Sequence, residues 1–187
     1  MMNEMSALNS ELQHSLLEIA REAIESYTRT RKERRFVRDS PALHQKRGVF
    51  VTIKTHGRLR GCIGHIEGSN ALYQTVADMA VAASSRDPRF PPVREDELDA
   101  LQLEISVMSP LRKVDSPDEV RPGVHGIFMS RGPRSGLLLP QVATEHGWDR
   151  VTFLEQTCVK AGLPPNAWQD PDTDIYVFSA QVFGESV

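Results

Sequence analysis

The chain has 187 residues, a formal charge of −3 at pH 7, and 40% hydrophobic and 25% charged residues, a composition typical of soluble globular proteins. This length predicts one domain, with two small lobes at most. Two cysteines are too few for a disulfide framework or a four-cysteine zinc site. The near-neutral charge argues against nucleic-acid binding as the main activity, because such proteins usually show a strong basic excess.

The sequence shows no targeting or membrane signal. No apolar run approaches the roughly 18 residues that a membrane-spanning helix needs. The first ten residues lack the basic segment followed by an apolar stretch that marks a signal peptide. We therefore expect a soluble, cytoplasmic protein that makes no membrane contact and whose thiols are reduced.

The first predicted element is a helix over residues 6–30, followed by a basic run over residues 29–38. The basic run is interpreted either as a solvated helix end, where cations suit the helix dipole, or as a surface for an anionic partner. The helix is indicated by apolar residues that recur at steps of three and four, namely Leu12, Leu16, Ile19, Ala20, Ala23, Ile24 and Tyr27.

A β-hairpin is predicted next, because β-branched residues fill 48–54 and a His56-Gly57 turn leads into a second strand at 58–66. Ser69 is the expected N-cap of a helix that ends before Asp87-Pro88, since the residue before proline avoids the helical region. The segment DPRFPPV at 87–93 has three prolines. It is expected to be irregular and to present side chains to a ligand or to another lobe.

The second half of the chain predicts a mixture of strands and helices. The predicted elements are strands at 101–108, 124–130 and 136–139, helices at 141–146 (with Pro140 in its first turn) and 149–161, and a last strand at 174–183. Apolar residues on both sides of the last strand favour a central position. These elements predict an α+β fold with mainly antiparallel sheets and flanking helices.

The segment LRGCIG at 59–64 is the densest group of chemically capable residues. In a straight strand Arg58, Arg60, Cys62 and Gly64 share one face, while Leu59 and Ile63 share the other and enter the core. An adjacent cation lowers a thiol pKa and favours the nucleophilic thiolate. The alternative interpretation of Cys62 is a small buried cysteine. Gly61 and Gly64 permit the close approach of a backbone or a ligand.

LRGCIG resembles the signature of the AMMECR-type domain family. Further segments resemble that family in matching order across about 48–183, namely GVFVTIK, DPRFPP at 87–92, GVHGI, LLLPQVA, GWD and KAGLPPNAW. The resemblance implies an α+β domain with a larger and a smaller lobe and no established activity. It also implies a shared pathway with Memo-like and radical-SAM proteins, the AmmeMemoRadiSam group, although a fold alone does not assign a function.

The resemblance implies a set of site residues, and each also has a structural interpretation. His125 is either a base for Cys62 or a hydrogen-bonded histidine at a strand end. Arg89 either pairs with Asp87 or binds an anion. Strand alternation, rather than the resemblance, places Glu104 on the polar face of its strand, towards solvent or a cleft. Gln141, at a helix start beside Pro140, either offers an amide to a ligand or has a capping or solvated role. The residues carried over from the family motifs are Arg60, Gly61, Cys62, Gly64, Asp87, Arg89, Phe90, His125, Gly126 and Pro140.

No metal site is predicted. His65 is three positions after Cys62, an odd separation that would place the two side chains on opposite faces of a strand. Cys62, His65 and His56 therefore do not converge on an ion. The GxxG spacing of Gly61 and Gly64 matches the loop of KH domains only weakly, because that loop joins helices and carries basic residues. The sequence does not identify a cofactor.

Three functional hypotheses remain open. In the first, the protein is an enzyme or an enzyme component with a ligand cleft between lobes. In that cleft Cys62 is a nucleophile or a ligand contact, Arg60 is its electrostatic partner and His125 is a base. In the second, the protein is a non-catalytic adaptor that presents the LRGCIG strand and the DPRFPP loop to a partner protein. The third and weaker one is RNA binding through residues 29–38 and Arg60. The sequence identifies neither the substrate nor the oligomeric state.

Overall fold

The computed structural model describes residues 7–186. These residues form two compact units. The first contains the chain up to Met108 together with the segment from Gln181 onward, and the second is Ser109–Ala180.

The described chain contains four α-helices and eight β-strands, joined by loops and short 3-10 helices. In chain order the elements are α1 (Ser10–Thr30), β1 (Val49–Thr55), β2 (Arg58–His65), α2 (Leu72–Ser85), β3 (Leu101–Met108), β4 (Arg112–Lys113), β5 (Gly126–Arg131), β6 (Arg134–Leu138), α3 (Pro140–His146), α4 (Arg150–Lys160), β7 (Asp174–Phe178) and β8 (Ala180–Gly184). None of the helices among these residues has the length and apolar character needed to cross a membrane.

The first unit is a four-stranded sheet with helices α1 and α2 on one face. Its strand order is β2-β1-β3-β8, and β1 is antiparallel to both β2 and β3. Alternate residues of β1, namely Val49, Val51 and Ile53, are fully buried and share a hydrophobic cluster with both helices. The intervening residues of β1 therefore face the opposite side of the sheet.

A β-bulge in the hairpin changes which residues of β2 share a face. Ile53 pairs with Gly61, but Lys54 pairs with Leu59, so Arg60 is the extra residue of the bulge. Leu59 consequently lies on the same face as Cys62. The prediction that Leu59 enters the core beside Ile63 is wrong, since Leu59 is 43% exposed.

The second unit contains an antiparallel four-stranded sheet of order β4-β7-β5-β6. Its hydrophobic core brings together Phe153, Leu154 and Cys158 of α4 with Ile127 and Val177 of the sheet. Helix α3 ends at Gly147, which adopts the left-handed conformation (φ 63°) expected of a helix-terminating glycine. The prediction of an α+β fold with antiparallel sheets and flanking helices is confirmed.

Several predicted boundaries differ from the structure. The predicted start of the first helix at residue 6 lies outside the described residues, and α1 begins at Ser10 with Asn9 as its N-cap. Helix α2 begins at Leu72 rather than after Ser69. The single last strand predicted at 174–183 is two strands in different sheets, with β7 in the interior of one and β8 at the edge of the other.

Candidate functional site

Cys62 lies in a row of side chains that crosses three strands of the first sheet. Thr52 of β1 pairs with Cys62 on one side and with Glu104 of β3 on the other, and directly paired residues point to the same face of a sheet. The Thr52 hydroxyl donates a hydrogen bond to the Cys62 sulfur at 3.3 Å. Cys62 is a half-buried residue, and its side chain lies on the face opposite α1 and α2.

Asp87 and Arg89 of the proline-rich loop bind the backbone of Cys62, and we call this pair the Asp87–Arg89 clamp. The Cys62 N–H donates to Asp87 Oδ2 at 2.9 Å, and Arg89 Nη2 donates to the Cys62 carbonyl at 3.3 Å. Arg89 also donates from Nε to Asp87 Oδ1 at 3.0 Å and from Nη2 to Oδ2 at 2.7 Å. The clamp therefore ties the loop to β2 at the cysteine itself.

The charges of the clamp support one another. The Arg89 guanidinium holds the pKa of Asp87 well below its usual range. Burial acts in the opposite direction, and the hydrogen bond from the Cys62 N–H lowers this pKa further. In turn Asp87, opposed by partial burial, raises the pKa of Arg89, and the negative charge of a Cys62 thiolate acts in the same direction. Asp87 is 4% exposed, whereas the Arg89 side chain is 54% exposed. The clamp thus presents a fixed cation at the surface beside Cys62.

Arg60, the arginine of the motif, is directed away from this arrangement. Its Nε and Nη2 donate to the two carboxylate oxygens of Glu97 at 2.8 and 3.1 Å, and its Nη1 donates to the Pro91 carbonyl at 2.9 Å. This bond to Arg60 is the main reason that the pKa of Glu97 is lowered. The guanidinium that contacts Cys62 is therefore that of Arg89 and not that of Arg60.

The two glycines of the motif allow close packing of the hairpin. A Cβ at Gly61 would collide with the backbone carbonyl of Ala83 in α2. A Cβ at Gly64 would collide with the ring of Phe50 and the carbonyl of Val49. Glycine is thus required at both positions, because a neighbouring backbone or aromatic ring leaves no room for a Cβ. Gly61 faces helix α2 rather than the side of the thiol.

The proline-rich loop also forms a shallow groove of about 370 Å³. Phe90 lies in it, with its ring centre 5.5 Å from the Arg89 guanidinium, a distance that suits a cation–π contact. The lining residues are Arg60, Phe90, Pro91, Pro92, Arg94 and Glu97. The groove is therefore lined by Arg60 and by Phe90, the residue that follows Arg89.

The remaining candidates in the first unit are paired or solvated. Glu104 accepts a hydrogen bond from the Lys54 ammonium at 3.1 Å on the same face as Cys62. In the basic run, Arg29 pairs with Glu95 at 3.1 Å and Arg34 pairs with Glu22 of α1 at 3.0 Å. Several cations of the run are therefore partly neutralised by neighbouring carboxylates.

His125 and Gln141 belong to the second unit, so the structure assigns them to a different unit from Cys62. The Nδ1 of His125 accepts the backbone N–H of Arg121 at 3.2 Å. Burial lowers the pKa of His125, and the charges of Arg112 and Arg121 add to this effect. Gln141 follows Pro140 in the first turn of α3. The role of His125 as a base for Cys62 remains a prediction.

Thr52 and Glu97 are the site residues that the sequence analysis missed. A regular hairpin around His56-Gly57 would place Thr52 opposite Gly61, and only the bulge moves it opposite Cys62. Glu97 follows Arg60 by 37 positions, and no local pattern connects the two. Among residues 7–186, no group of three or more His, Cys, Asp or Glu side chains could hold a metal ion.

Comparison with known proteins places the chain in a family. The AMMECR1 family model matches residues 17–183. A protein of Methanothermobacter thermautotrophicus is 47% identical over 178 residues, which are 91% of this chain and 93% of that one. A protein of Methanopyrus kandleri is 46% identical over 179 residues, which cover 91% of this chain and 86% of its own.

A solved structure shows the same fold. The crystal structure of the uncharacterized protein PH0010 from Pyrococcus horikoshii aligns with a TM-score of 0.85 at 42% sequence identity. The alignment covers 91% of this chain and 90% of that one. By sequence and by structure, the chain belongs to the AMMECR1 family.

Proposed function

We propose that the protein is an enzyme or an enzyme component that binds a small anionic ligand at Arg89, next to the thiol of Cys62. The observation that carries this proposal is the Asp87–Arg89 clamp, which bonds both the N–H and the carbonyl of Cys62. A side chain that is free to move loses entropy when it binds a ligand, and a clamped guanidinium has already lost it. The clamp thus supports a preformed anion site beside a thiol.

The hydrogen-bond pattern of Arg89 indicates how a ligand would bind. Nε and Nη2 are used within the clamp, whereas Nη1 carries no hydrogen bond to the described residues. A planar guanidinium suits carboxylate and phosphate groups. The ligand class is therefore a small molecule, or the modified part of a polymer, that carries such an anionic group.

The thiol is the group that would contact the rest of this ligand. The Thr52 hydroxyl donates to Sγ, and the Arg89 guanidinium is bonded to the carbonyl of the same residue, so a hydrogen-bond donor and a cation lie close to the thiol. Cys62 would act as a nucleophile or as a ligand contact in this site.

Alkylation by iodoacetamide, read out by peptide mass spectrometry, tests the role of the thiol. We expect Cys62 to be labelled at least about tenfold faster than Cys158, because Cys158 is fully buried and burial raises its pKa. Thr52→Val should slow the labelling of Cys62 severalfold. Thr55→Val is the matched control, since it removes a hydroxyl from the same strand that has no partner among the described residues. Equal and slow labelling of both cysteines would rule out a nucleophilic Cys62.

The groove beside Phe90 favours a second candidate, an adaptor that recognises a protein partner. Its aromatic and proline residues are typical of surfaces that bind an extended peptide. Cys62→Ser should then leave partner affinity intact while Arg60→Glu abolishes it. A loss of affinity in Cys62→Ser would favour the thiol site instead.

Family resemblance supports a wider setting for either candidate. We place the protein in the cytoplasm, in a shared pathway with Memo-like and radical-SAM proteins. Co-purification of the full chain with a Memo-like protein from the same cell tests this association. Failure to co-purify, at protein concentrations well above those in the cell, would contradict it.

A further inference from the structure

The bulge at Arg60 places a leucine, in place of an arginine, beside the thiol. In a regular strand Arg60 would share the face of Cys62, and Leu59 would face the helices. The bulge instead moves Leu59 opposite Lys54, onto the face of the thiol. That pairing partner lies two positions along β1 from the partner of Cys62, so the backbones of Leu59 and Cys62 are about 7 Å apart on the sheet.

Leu59 is largely exposed in this position. Its exposed fraction is 43%, whereas a regular strand would bury it against α1 and α2. The fold thereby gives up the stabilisation that burial of a leucine provides. Bulges often occur next to active sites, where they redirect a side chain. An apolar side chain that the backbone turns outward beside a thiol is available to contact the apolar part of a ligand.

Phe50 supplies a second apolar surface, on the other side of the thiol. It pairs with Gly64, and its ring occupies the space in which a Cβ of Gly64 would lie. The ring therefore extends from β1 onto β2, two positions after Cys62. Phe50 is half-buried, so part of the residue is accessible to solvent. Along β2, the thiol thus lies between Leu59 and the Phe50 ring.

The charged groups of this face favour an anion next to these apolar groups. The Lys54 ammonium and the Glu104 carboxylate pair with each other at 3.1 Å, which largely neutralises both. The Arg89 side chain is bonded to the Cys62 carbonyl and is more than half exposed. The surroundings of the thiol therefore combine one accessible guanidinium with two apolar side chains.

We propose that the ligand of the thiol site is amphiphilic. Its anionic group binds at Arg89, and its apolar group, aliphatic or aromatic, packs against Leu59 and the Phe50 ring. This inference rests on the proposed anion site at Arg89. It narrows the ligand class to carboxylates or phosphates that carry an apolar group, and it makes Leu59 the residue that selects the ligand by its apolar part.

Protection of Cys62 from iodoacetamide in the full chain tests the inference with two probes, acetate and phenylacetate. Acetate has the anionic group alone, and phenylacetate adds a phenyl ring. We expect phenylacetate to halve the labelling rate of Cys62 at a concentration about tenfold lower than acetate requires. This factor corresponds to the removal of roughly 55 Å² of apolar surface from water. Peptide mass spectrometry measures the labelling.

Leu59→Ser should reduce this tenfold difference to about threefold or less and leave protection by acetate unchanged. Leu59→Met, which keeps an apolar side chain, should preserve the difference. Val182→Ser is the matched control, because Val182 is exposed to the same degree, 44%, on β8 at the other edge of the sheet. It should also preserve the difference. The melting temperature of Leu59→Ser should stay close to that of the wild type, since the side chain is largely exposed.

The result with acetate separates this inference from the proposal on which it rests. If both anions protect Cys62 and Arg89→Gln weakens both, but Leu59→Ser leaves their difference unchanged, the anion site stands and the contact with Leu59 is wrong. Equal protection by the two anions in the wild type would overturn the inference in the same way. If neither anion protects Cys62, the anion site itself is wrong, and the amphiphilic ligand is wrong with it.

Discussion

Asp87 is the carboxylate that binds the backbone of Cys62. It is almost fully buried and accepts one hydrogen bond from Cys62 and three from Arg89. A buried carboxylate with this many donors is held in one orientation. The position of Arg89 beside the thiol therefore depends on Asp87.

Asp87→Asn is expected to destabilise the protein by about 2–3 kcal/mol, because the amide keeps the shape but loses the charge that pairs with Arg89. Urea unfolding measures the change. Asp96→Asn is the matched control, since Asp96 pairs with Arg94 on the exposed surface, where ion pairs contribute little. Equal effects of the two substitutions would contradict the structural role of the clamp.

Part of this site is predictable from the sequence. The motif itself and the Asp87–Arg89 pairing follow from residue types and from family resemblance. The partner of Arg60 does not, because Glu97 lies 37 positions further along the chain. The hydroxyl on the thiol does not either, because it depends on a bulge that shifts the hairpin by one residue. A one-residue shift reverses the faces of a strand. Regular alternation without the bulge therefore predicts, wrongly, that Leu59 enters the core.

At the scale of elements, the packing of β2 on α2 requires glycine at position 61. We expect Gly61→Ala to destabilise the protein by about 2–3 kcal/mol, because the new methyl group meets the rigid backbone of Ala83. Thermal unfolding measures the loss. Cys62→Ala, on the other face of the same strand, should cost less. If Gly61→Ala were tolerated as well as Cys62→Ala, the close contact between β2 and α2 would be wrong.

The last two strands show where periodicity fails as a predictor. Alternating apolar residues continue through 174–183, yet the chain changes sheets between Phe178 and Ala180. The Ser179 carbonyl accepts the Ser109 N–H at 2.9 Å, so a hydrogen bond from a distant residue fixes the break. The alternation gives the faces of both strands but not the sheet to which each belongs.

At the scale of the whole molecule, acid should destabilise the protein. The pKa of Asp87 and of Glu97 is lowered by Arg89 and Arg60 respectively. Such groups stabilise the folded state above their ordinary pKa values of about 4, and this stability is lost as the pH falls through the lowered values. Burial also lowers the pKa of His125, so protonation of this residue below about pH 6.5 favours unfolding.

We therefore expect the melting temperature to be highest near neutral pH, to fall slightly below about pH 6.5 and to fall steeply below about pH 4. Scanning calorimetry across this range measures the profile. Asp87→Asn should show a smaller fall between neutral pH and pH 3 than the wild type, because it lacks one titrating group. A melting temperature that stays constant on acidification would contradict these ionic contacts.

The proposed anion site requires that Arg89 place a positive charge beside the Cys62 thiol. The most direct measurement is the ratio of the Cys62 alkylation rates with iodoacetate, which is anionic, and iodoacetamide, which is neutral. Arg89→Gln should lower this ratio severalfold, whereas Arg94→Gln, which removes an exposed arginine of the same loop region, should leave it unchanged. If the two variants gave the same ratio as the wild type, Arg89 would not act on the thiol and the proposed anion site would be wrong.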